Sequence, residues 1–137
     1  MATTIATVEI PATPDQVWQL IGGFNALPDW LPYIPSSALS EGGRVRRLET
    51  PGGDVIIERL EAFNDKERCY SYSIMQAPFP ATAYLSTIRV RATADQQSLV
   101  EWSGSFTPVG VSDEEVTQLF HGIYEDGLKA LRRRFAS

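Results

Sequence analysis

The chain ends in one long amphipathic helix, and no other segment is long enough to cover the strands that precede it. Val116, Leu119, Phe120, Ile123, Tyr124, Leu128, Leu131 and Phe135 recur at helical spacing and give it an apolar stripe. Ser112, with Glu115 three residues on, forms a capping box, and Asp113 and Glu114 suit the positive end of the helix dipole. Arg132, Arg133 and Arg134 suit the opposite end. The helix is expected over 113–135, roughly 35 Å long.

Upstream, the segments 36–40, 43–50, 54–63, 67–76, 82–93 and 98–107 read as strands. Turn-like separators divide them, such as Pro51-Gly52-Gly53, Asn64-Asp65-Lys66 and Ala77-Pro78-Phe79-Pro80. Separators this short imply antiparallel neighbours in a meander. A further strand over 3–10 opens the chain and ends at Pro11. Thr13-Pro14-Asp15-Gln16 is a second capping box, with proline at the first helical position. The short helix it starts carries Val17, Trp18, Leu20 and Ile21 and stops at Gly22-Gly23. From Phe24 to Pro35, aromatic and aliphatic residues are interrupted by Pro28, Pro32 and Pro35. The first half can form one more short helix; the second half is a stiff connection.

Alternation assigns the strand faces. Tyr84, Ser86, Ile88 and Val90 share one face, and Leu85, Thr87, Arg89 and Arg91 the solvated one. Val100, Trp102, Gly104 and Phe106 share an inward face, as do Tyr70, Tyr72, Ile74 and Gln76. The helix stripe is the cover for these faces. An interior with Tyr70, Tyr72, Tyr84 and Trp102 is either a core with satisfied polar tips or a partly polar cavity. Gly127 falls near the helix's inward stripe, where it either leaves room or allows close packing; Gly122 is the other helix glycine.

The 137 residues fit a single domain, 1–137, and the formal charge of −5 argues against a nucleic-acid partner. Cys69 is the single cysteine, so no intrachain disulfide forms, which fits a reducing cytosol. No basic leader or membrane-length apolar run is visible, and a cytoplasmic protein without a membrane span is expected.

Thr13-Pro14-Asp15-Gln16-Val17-Trp18, followed by Phe24-Asn25-Ala26-Leu27-Pro28-Asp29-Trp30, resembles the start of polyketide cyclase/dehydrase-like members of the START/Bet v 1 (SRPBCC) superfamily. Val45-Arg46, Glu58-Arg59-Leu60, Asp65, Tyr70-Ser71-Tyr72, Pro78 with Pro80, Tyr84, and Val100-Glu101-Trp102 followed by Phe106 extend the resemblance over nearly the whole chain. It implies an α+β helix-grip fold. A seven-stranded antiparallel sheet would wrap the long C-terminal helix, with two short helices after the first strand and a cavity between sheet and helix. It also implies a small hydrophobic or aromatic ligand of the lipid, steroid or polyketide kind. One reaction is not implied, because a fold does not determine function.

The residues themselves narrow the chemistry. One histidine and one cysteine, without HxxxH or CxxC spacing, give no basis for a metal, and no cofactor is indicated. Cys69 points opposite to Tyr70 and Tyr72 and reads as a structural or surface thiol. His121 sits at the edge of the helix stripe, either as an acid–base group or as a polar residue at a rim. Glu58 shares an apolar strand face with Ile56 and Leu60, so its charge needs a partner, and Arg46 is the natural one. The pair is either an ion pair between strands or a polar anchor for a ligand carbonyl or hydroxyl. Glu58, Arg46, Tyr72 and Tyr84 are the candidate catalytic groups of a cyclase or dehydratase.

Candidate ligand contacts from the N-terminal region are Trp18, Leu27, Trp30 and Tyr33. The strands add Arg46, Glu58, Tyr70, Tyr72, Tyr84, Ile88, Trp102 and Phe106, and the last helix Phe120, Ile123 and Tyr124. Trp30, Leu31, Tyr33 and Phe79 lie in proline-stiffened loops that suit a pocket mouth, a partner surface or a cap on the core. Three functions compete: a small-molecule binder, a cyclase/dehydratase-type enzyme and a protein-interaction module. Cavity volume separates them, since ligand pockets hold about 300–1,000 Å³ and a packed core almost none. A homodimer is left open.

Overall fold

A computed structural model describes residues 1–135. Strand β1 (Ala2–Ile10) leads into α1 (Pro14–Ile21) and the single-turn α2 (Leu27–Trp30). Strands β2 (Ser36–Ser40), β3 (Val45–Glu49), β4 (Val55–Asn64), β5 (Cys69–Gln76), β6 (Ala81–Ala94) and β7 (Gln97–Pro108) follow, and α3 (Asp113–Phe135) closes the chain. This is the helix-grip arrangement of two short helices, an antiparallel sheet and a long C-terminal helix. The expected strand 43–50 begins at Val45, because Glu41–Gly43 makes a tight turn with Gly42 and Gly43 at φ of 71° and 90°.

The seven strands form one sheet in the order β1-β7-β6-β5-β4-β3-β2. Every pairing is antiparallel. The meander from β2 to β7 uses hairpins, and β1 adds to the far edge beside β7. Both capping boxes act as expected at their serine or threonine: Thr13 Oγ1 accepts from Gln16 N at 3.2 Å, and Ser112 Oγ from Glu115 N at 3.1 Å.

The inward faces are those read from alternation, except that Gln76, expected inward with Tyr70, Tyr72 and Ile74, is exposed, because the register shifts at Met75. Tyr70, Tyr72, Tyr84, Ser86, Ile88, Val90, Val100, Trp102 and Phe106 are all buried. Val116, Phe120, Tyr124, Gly127, Leu128 and Leu131 form the buried stripe of α3. Leu119, expected in that stripe, is 38 % exposed, so the stripe is narrower than the spacing suggested.

Helix α3 packs on β1 and β7 and touches α2, with no comparable contact to β3, β4 or β5. Ala2 and Ala6 on β1 are small and buried, which suits a close approach of the helix. On the other side, Gly127 lets the segment after α2 close on α3. A Cβ there would lie 2.8 Å from Leu31 Cδ1 and from Trp102 Cζ3, and 3.0 Å from the Tyr33 hydroxyl. The glycine therefore serves close packing rather than free space. Tyr33 uses the approach to donate to the Ile123 carbonyl at 2.9 Å.

This packing makes a two-sided prediction. Gly127→Ala should destabilise the protein by about 1–3 kcal/mol through overpacking, although alanine is the better helix former by about 1 kcal/mol. Gly122→Ala, whose Cβ would meet nothing within 4 Å, should stabilise it by up to about 1 kcal/mol. Denaturant unfolding of both variants gives the two signs; a stabilised Gly127→Ala protein would refute the close-packing account.

Candidate functional site

Where α3 leaves the inner face of β3–β5 uncovered, a cavity of about 230 Å³ remains. At the roughly 30 Å³ share of a liquid water, this is room for about eight water-sized groups, or one compact ring system. Leu27, Leu31, Tyr33 and Ile34 close it from the connection after α1, and Phe120, Ile123 and Tyr124 from α3. Leu48, Thr50, Ile56, Ile74, Tyr72, Tyr84 and Trp102 supply the sheet wall, and Phe79 the β5–β6 turn. Arg46 and Glu58 also reach this wall.

Arg46 and Glu58 face each other directly across β3 and β4. Arg46 Nε and Nη2 approach Glu58 Oε1 at 2.8 and 2.7 Å, and Nη1 donates to the Phe24 carbonyl at 2.9 Å. The Tyr70 hydroxyl lies 3.4 Å from the same Nη1. The guanidinium sits 4.2 Å from the Phe24 ring centroid and 4.8 Å from that of Tyr72, within cation–π range. Arg46 is 1 % exposed and Glu58 7 %. Such burial is tolerable only with this degree of pairing. Oε2 of Glu58 forms no hydrogen bond among the described residues.

Burial pushes the Glu58 carboxyl above its usual range, and the neighbouring Arg46 only partly opposes it. Arg46 stays firmly protonated: burial alone would lower its pKa, and Tyr70, Glu58 and Tyr72 beside it outweigh that. Tyr72 and Tyr84 are raised well above the normal tyrosine value, chiefly by burial. Tyr124 is raised to about 12 for the same first reason. These hydroxyls therefore keep their protons at neutral pH. Trp102 Nε1 donates to the Tyr72 hydroxyl and to Ser86 Oγ, both at 3.1 Å, and Ser86 donates to the Ser103 carbonyl at 2.7 Å. The Tyr84 and Tyr124 hydroxyls are hydrogen-bonded to each other. Tyr72 and Tyr124 both also interact with the Ser86 side chain, so the three tyrosines, Trp102 and Ser86 form one buried polar cluster.

The structure brings Leu27, Tyr33, Arg46, Glu58, Tyr72, Tyr84, Trp102, Phe120, Ile123 and Tyr124 to the cavity wall. It places Trp18, Trp30, Tyr70, Ile88 and Phe106 in the surrounding core instead. Trp18 Nε1 is held by Asp65 Oδ1 at 2.7 Å, with its ring against Phe63 and Tyr70. Trp30 stands edge-on to Trp102, and Phe106 lies beneath Phe120 and Tyr84. Trp30 and Leu31 are 2 % and 3 % exposed, so they cap the core rather than offer a partner surface. Leu31 and Phe79, whose loops suit a pocket mouth among other roles, line the cavity, and Ile34, Leu48, Thr50, Ile56 and Ile74 join it without being candidate ligand contacts in the sequence. Strand alternation marks Leu48, Ile56 and Ile74 as inward, but not how far along each strand the helix ceases to cover them. His121 lies at the surface, 3.1 Å from Thr4 Oγ1 and 3.3 Å from Glu125 Oε2. Cys69 lies on the opposite face from the cavity, with Arg89 Nη2 3.7 Å from Sγ. Among the described residues no helix is long and apolar enough to cross a membrane.

The sequence pattern of the family described as "Polyketide cyclase / dehydrase and lipid transport" matches residues 1–136. The chain belongs to this family. Among solved structures, it is similar to protein XoxI from Bacillus cereus, with 70 % identity and a TM-score of 0.96 over 98 % of this chain and 96 % of that one. A START superfamily protein from Mycobacterium smegmatis shares the fold at 20 % identity and a TM-score of 0.80, over 98 % and 97 % of the two chains. An aromatase/cyclase from a Streptomyces species shares it at 16 % identity and 0.77, over 96 % and 92 %. Among curated protein sequences none matches this chain. Within this family's fold, the seven-stranded sheet around a terminal helix is the frame that carries the cavity.

Two outcomes follow for the buried pair. Arg46→Met should lower stability by about 3–5 kcal/mol at neutral pH, because it leaves Glu58 buried without its cation. A raised carboxyl pKa binds a proton more tightly in the folded state, so it favours folding at low pH. That contribution is lost as pH rises from the ordinary value of 4.5 through the raised folded value. Thermal unfolding of Glu58→Gln against the parent should therefore show the variant gaining relative stability as pH rises over that window. A difference that is flat with pH, or opposite in sign, would show that the carboxyl is not raised.

Proposed function

We propose that the protein binds a small apolar or aromatic molecule in the cavity between β3–β5 and α3. The observation that carries this reading is a space of about 230 Å³ with largely apolar walls, into which Arg46, Glu58, Tyr72, Tyr84 and Tyr124 also reach. That volume is below the usual range of about 300–1,000 Å³ for ligand pockets. It favours a compact ligand, one or two rings in size, over an extended lipid or a full steroid. Glu58 Oε2 and the Tyr72 and Tyr84–Tyr124 hydroxyls would meet a carbonyl or hydroxyl on such a ligand. The buried aromatic residues and the family match support the same reading. An interaction module would instead have a filled interior. A reducing cytoplasm suits a protein whose single thiol, Cys69, is unpaired.

A second reading, turnover of the cyclase or dehydratase type, is favoured by one feature. Glu58 combines a raised pKa with an oxygen free of protein partners, next to tyrosine donors. In that reading Glu58 moves a proton at the substrate while Tyr72 holds the carbonyl oxygen and Arg46 positions the carboxylate. Glu58→Gln would then abolish turnover and retain binding.

The test is native mass spectrometry of protein purified from its own source, with thermal shift against a panel of compact aromatics and longer lipids. A compact ligand at a hundred times its Kd should stabilise the fold by about 2.7 kcal/mol, or roughly 10 °C. An apo mass together with no shift from any member of the panel would overturn the binding reading.

A further inference from the structure

A second chamber adjoins the cavity where the sheet comes apart. Strands β5 and β6 are paired from Cys69–Arg89 to Ser73–Leu85, and no pair forms beyond that point. The ends of the two strands instead hold to their outer neighbours: Gln76 pairs with Ile57 on β4, and Ala81 and Thr82 pair with Pro108 and Thr107 on β7. Each strand carries a register shift at this place. On β4–β5 it falls between the Ile57–Gln76 and Glu58–Ile74 pairs, which makes Met75 the extra residue. On β6–β7 it falls between Thr82 and Leu85, with Ala83 in the left-handed region at φ 52°. Bulges of this kind end pairing and redirect strands, often beside functional sites. A non-glycine residue held at such a φ carries strain.

The opening between the splayed strands has a volume of about 240 Å³. It shares Ile74, Phe79, Tyr84 and Phe120 with the main cavity, so these side chains are a common wall. Phe79 is held between Pro78 and Pro80 and packs edge-on against Phe120, 5.3 Å between centroids. The chamber differs in character from the cavity. Its lining is more polar, with Gln76, Thr82 and the seam-facing backbone of both strands, and it contains no charged side chain. Ala81 N–H donates to the Phe79 carbonyl and Val109 N–H to the Pro80 carbonyl; the other backbone groups along the seam have no β5–β6 pairing.

We propose that this chamber is a second subsite, which takes an uncharged hydrogen-bonding tail, such as a carboxamide, on a ligand whose apolar ring fills the main cavity. The inference rests on the cavity-binding reading above and deepens it. Phe79 is the partition past which the tail runs, and the free edges of β5 and β6 supply donors and acceptors to it. A charged tail gains no counter-charge in this lining and loses part of its hydration beside Ile74, Phe79 and Phe120.

The probes are naphthalene, naphthaleneacetamide and naphthaleneacetate, with Kd measured by calorimetry on the full chain. The acetamide should bind about ten-fold more tightly than naphthalene, as one or two satisfied hydrogen bonds allow, and the acetate no more tightly than naphthalene. Ala81→Trp and Thr82→Trp fill the chamber from residues that do not line the main cavity, and each should erase the acetamide's advantage. Naphthalene affinity in each variant reports that the cavity is still intact. Equal affinities for naphthalene and its acetamide in the parent would overturn the subsite, as would an advantage that survives in both variants or naphthalene binding lost in both. Tighter binding of the acetate than of the acetamide would overturn the uncharged-tail assignment. If naphthalene itself fails to bind the parent, the cavity reading falls, and the subsite with it.

Discussion

One helix cannot cover seven strands, and the rest of this molecule follows from that mismatch. Strands lie about 4.8 Å apart, and a helix with its side chains is about 10–12 Å across. A single helix therefore shields two or three strands. Here α3 lies along β1 and β7, at one edge of the sheet order. The inward side chains of β3, β4 and β5 then need another cover. Leu27, Leu31, Tyr33 and Ile34 provide it from the connection before β2. They are fastened to α3 by the Tyr33–Ile123 hydrogen bond and the close approach at Gly127. A loop closes less volume than a second helix would, and the space left over is the cavity.

The polar side of that space is organised around Arg46. Its guanidinium satisfies a carboxylate oxygen and a backbone carbonyl and lies against aromatic faces, which is how a cation persists at 1 % exposure. The planar fork of arginine makes this possible where a lysine ammonium would not. Because Oε1 of Glu58 takes both contacts from Arg46, Oε2 is left without a protein partner. A buried ion pair contributes little net stability compared with apolar residues of the same volume. In the proposed reading, its place on the wall of the cavity prepares it for a polar group of a ligand. The tyrosine and tryptophan tips nearby are hydrogen-bonded to one another and to Ser86.

Most of the architecture was legible because local signals agreed: capping boxes at Thr13 and Ser112, short turn separators, and strict alternation on β6 and β7. The Arg46–Glu58 pair was legible for a different reason. A charge on the face shared by Ile56 and Leu60 demands a partner, and the adjacent strand offers one. What alternation does not encode is depth. It marks Ile88, Phe106 and Tyr70 as inward just as it marks Tyr72 and Tyr84, yet only the latter two reach open space. That distinction depends on where α3 crosses the sheet. The split between β5 and β6 was equally hidden. Ala83 adopts a left-handed backbone without glycine or asparagine to signal it, and the bulge at Met75 interrupts a strand whose pattern looks continuous. Size and aromatic character alone suggest a cavity position for Trp18 and Trp30, whereas each is engaged in the core, Trp18 through Asp65 and Trp30 through Trp102.

The central claim is that the space between α3 and β3–β5 is where a compact apolar ligand resides. Intermolecular nuclear Overhauser effects, measured between naphthalene protons and the methyl groups of isotope-labelled isoleucine, test it most directly. Ile56, Ile74 and Ile123 line the cavity, whereas Ile5 is exposed on the outer face of the sheet. The account predicts strong effects to Ile56, Ile74 and Ile123 and none to Ile5. Saturable binding with effects confined to Ile5 would contradict it.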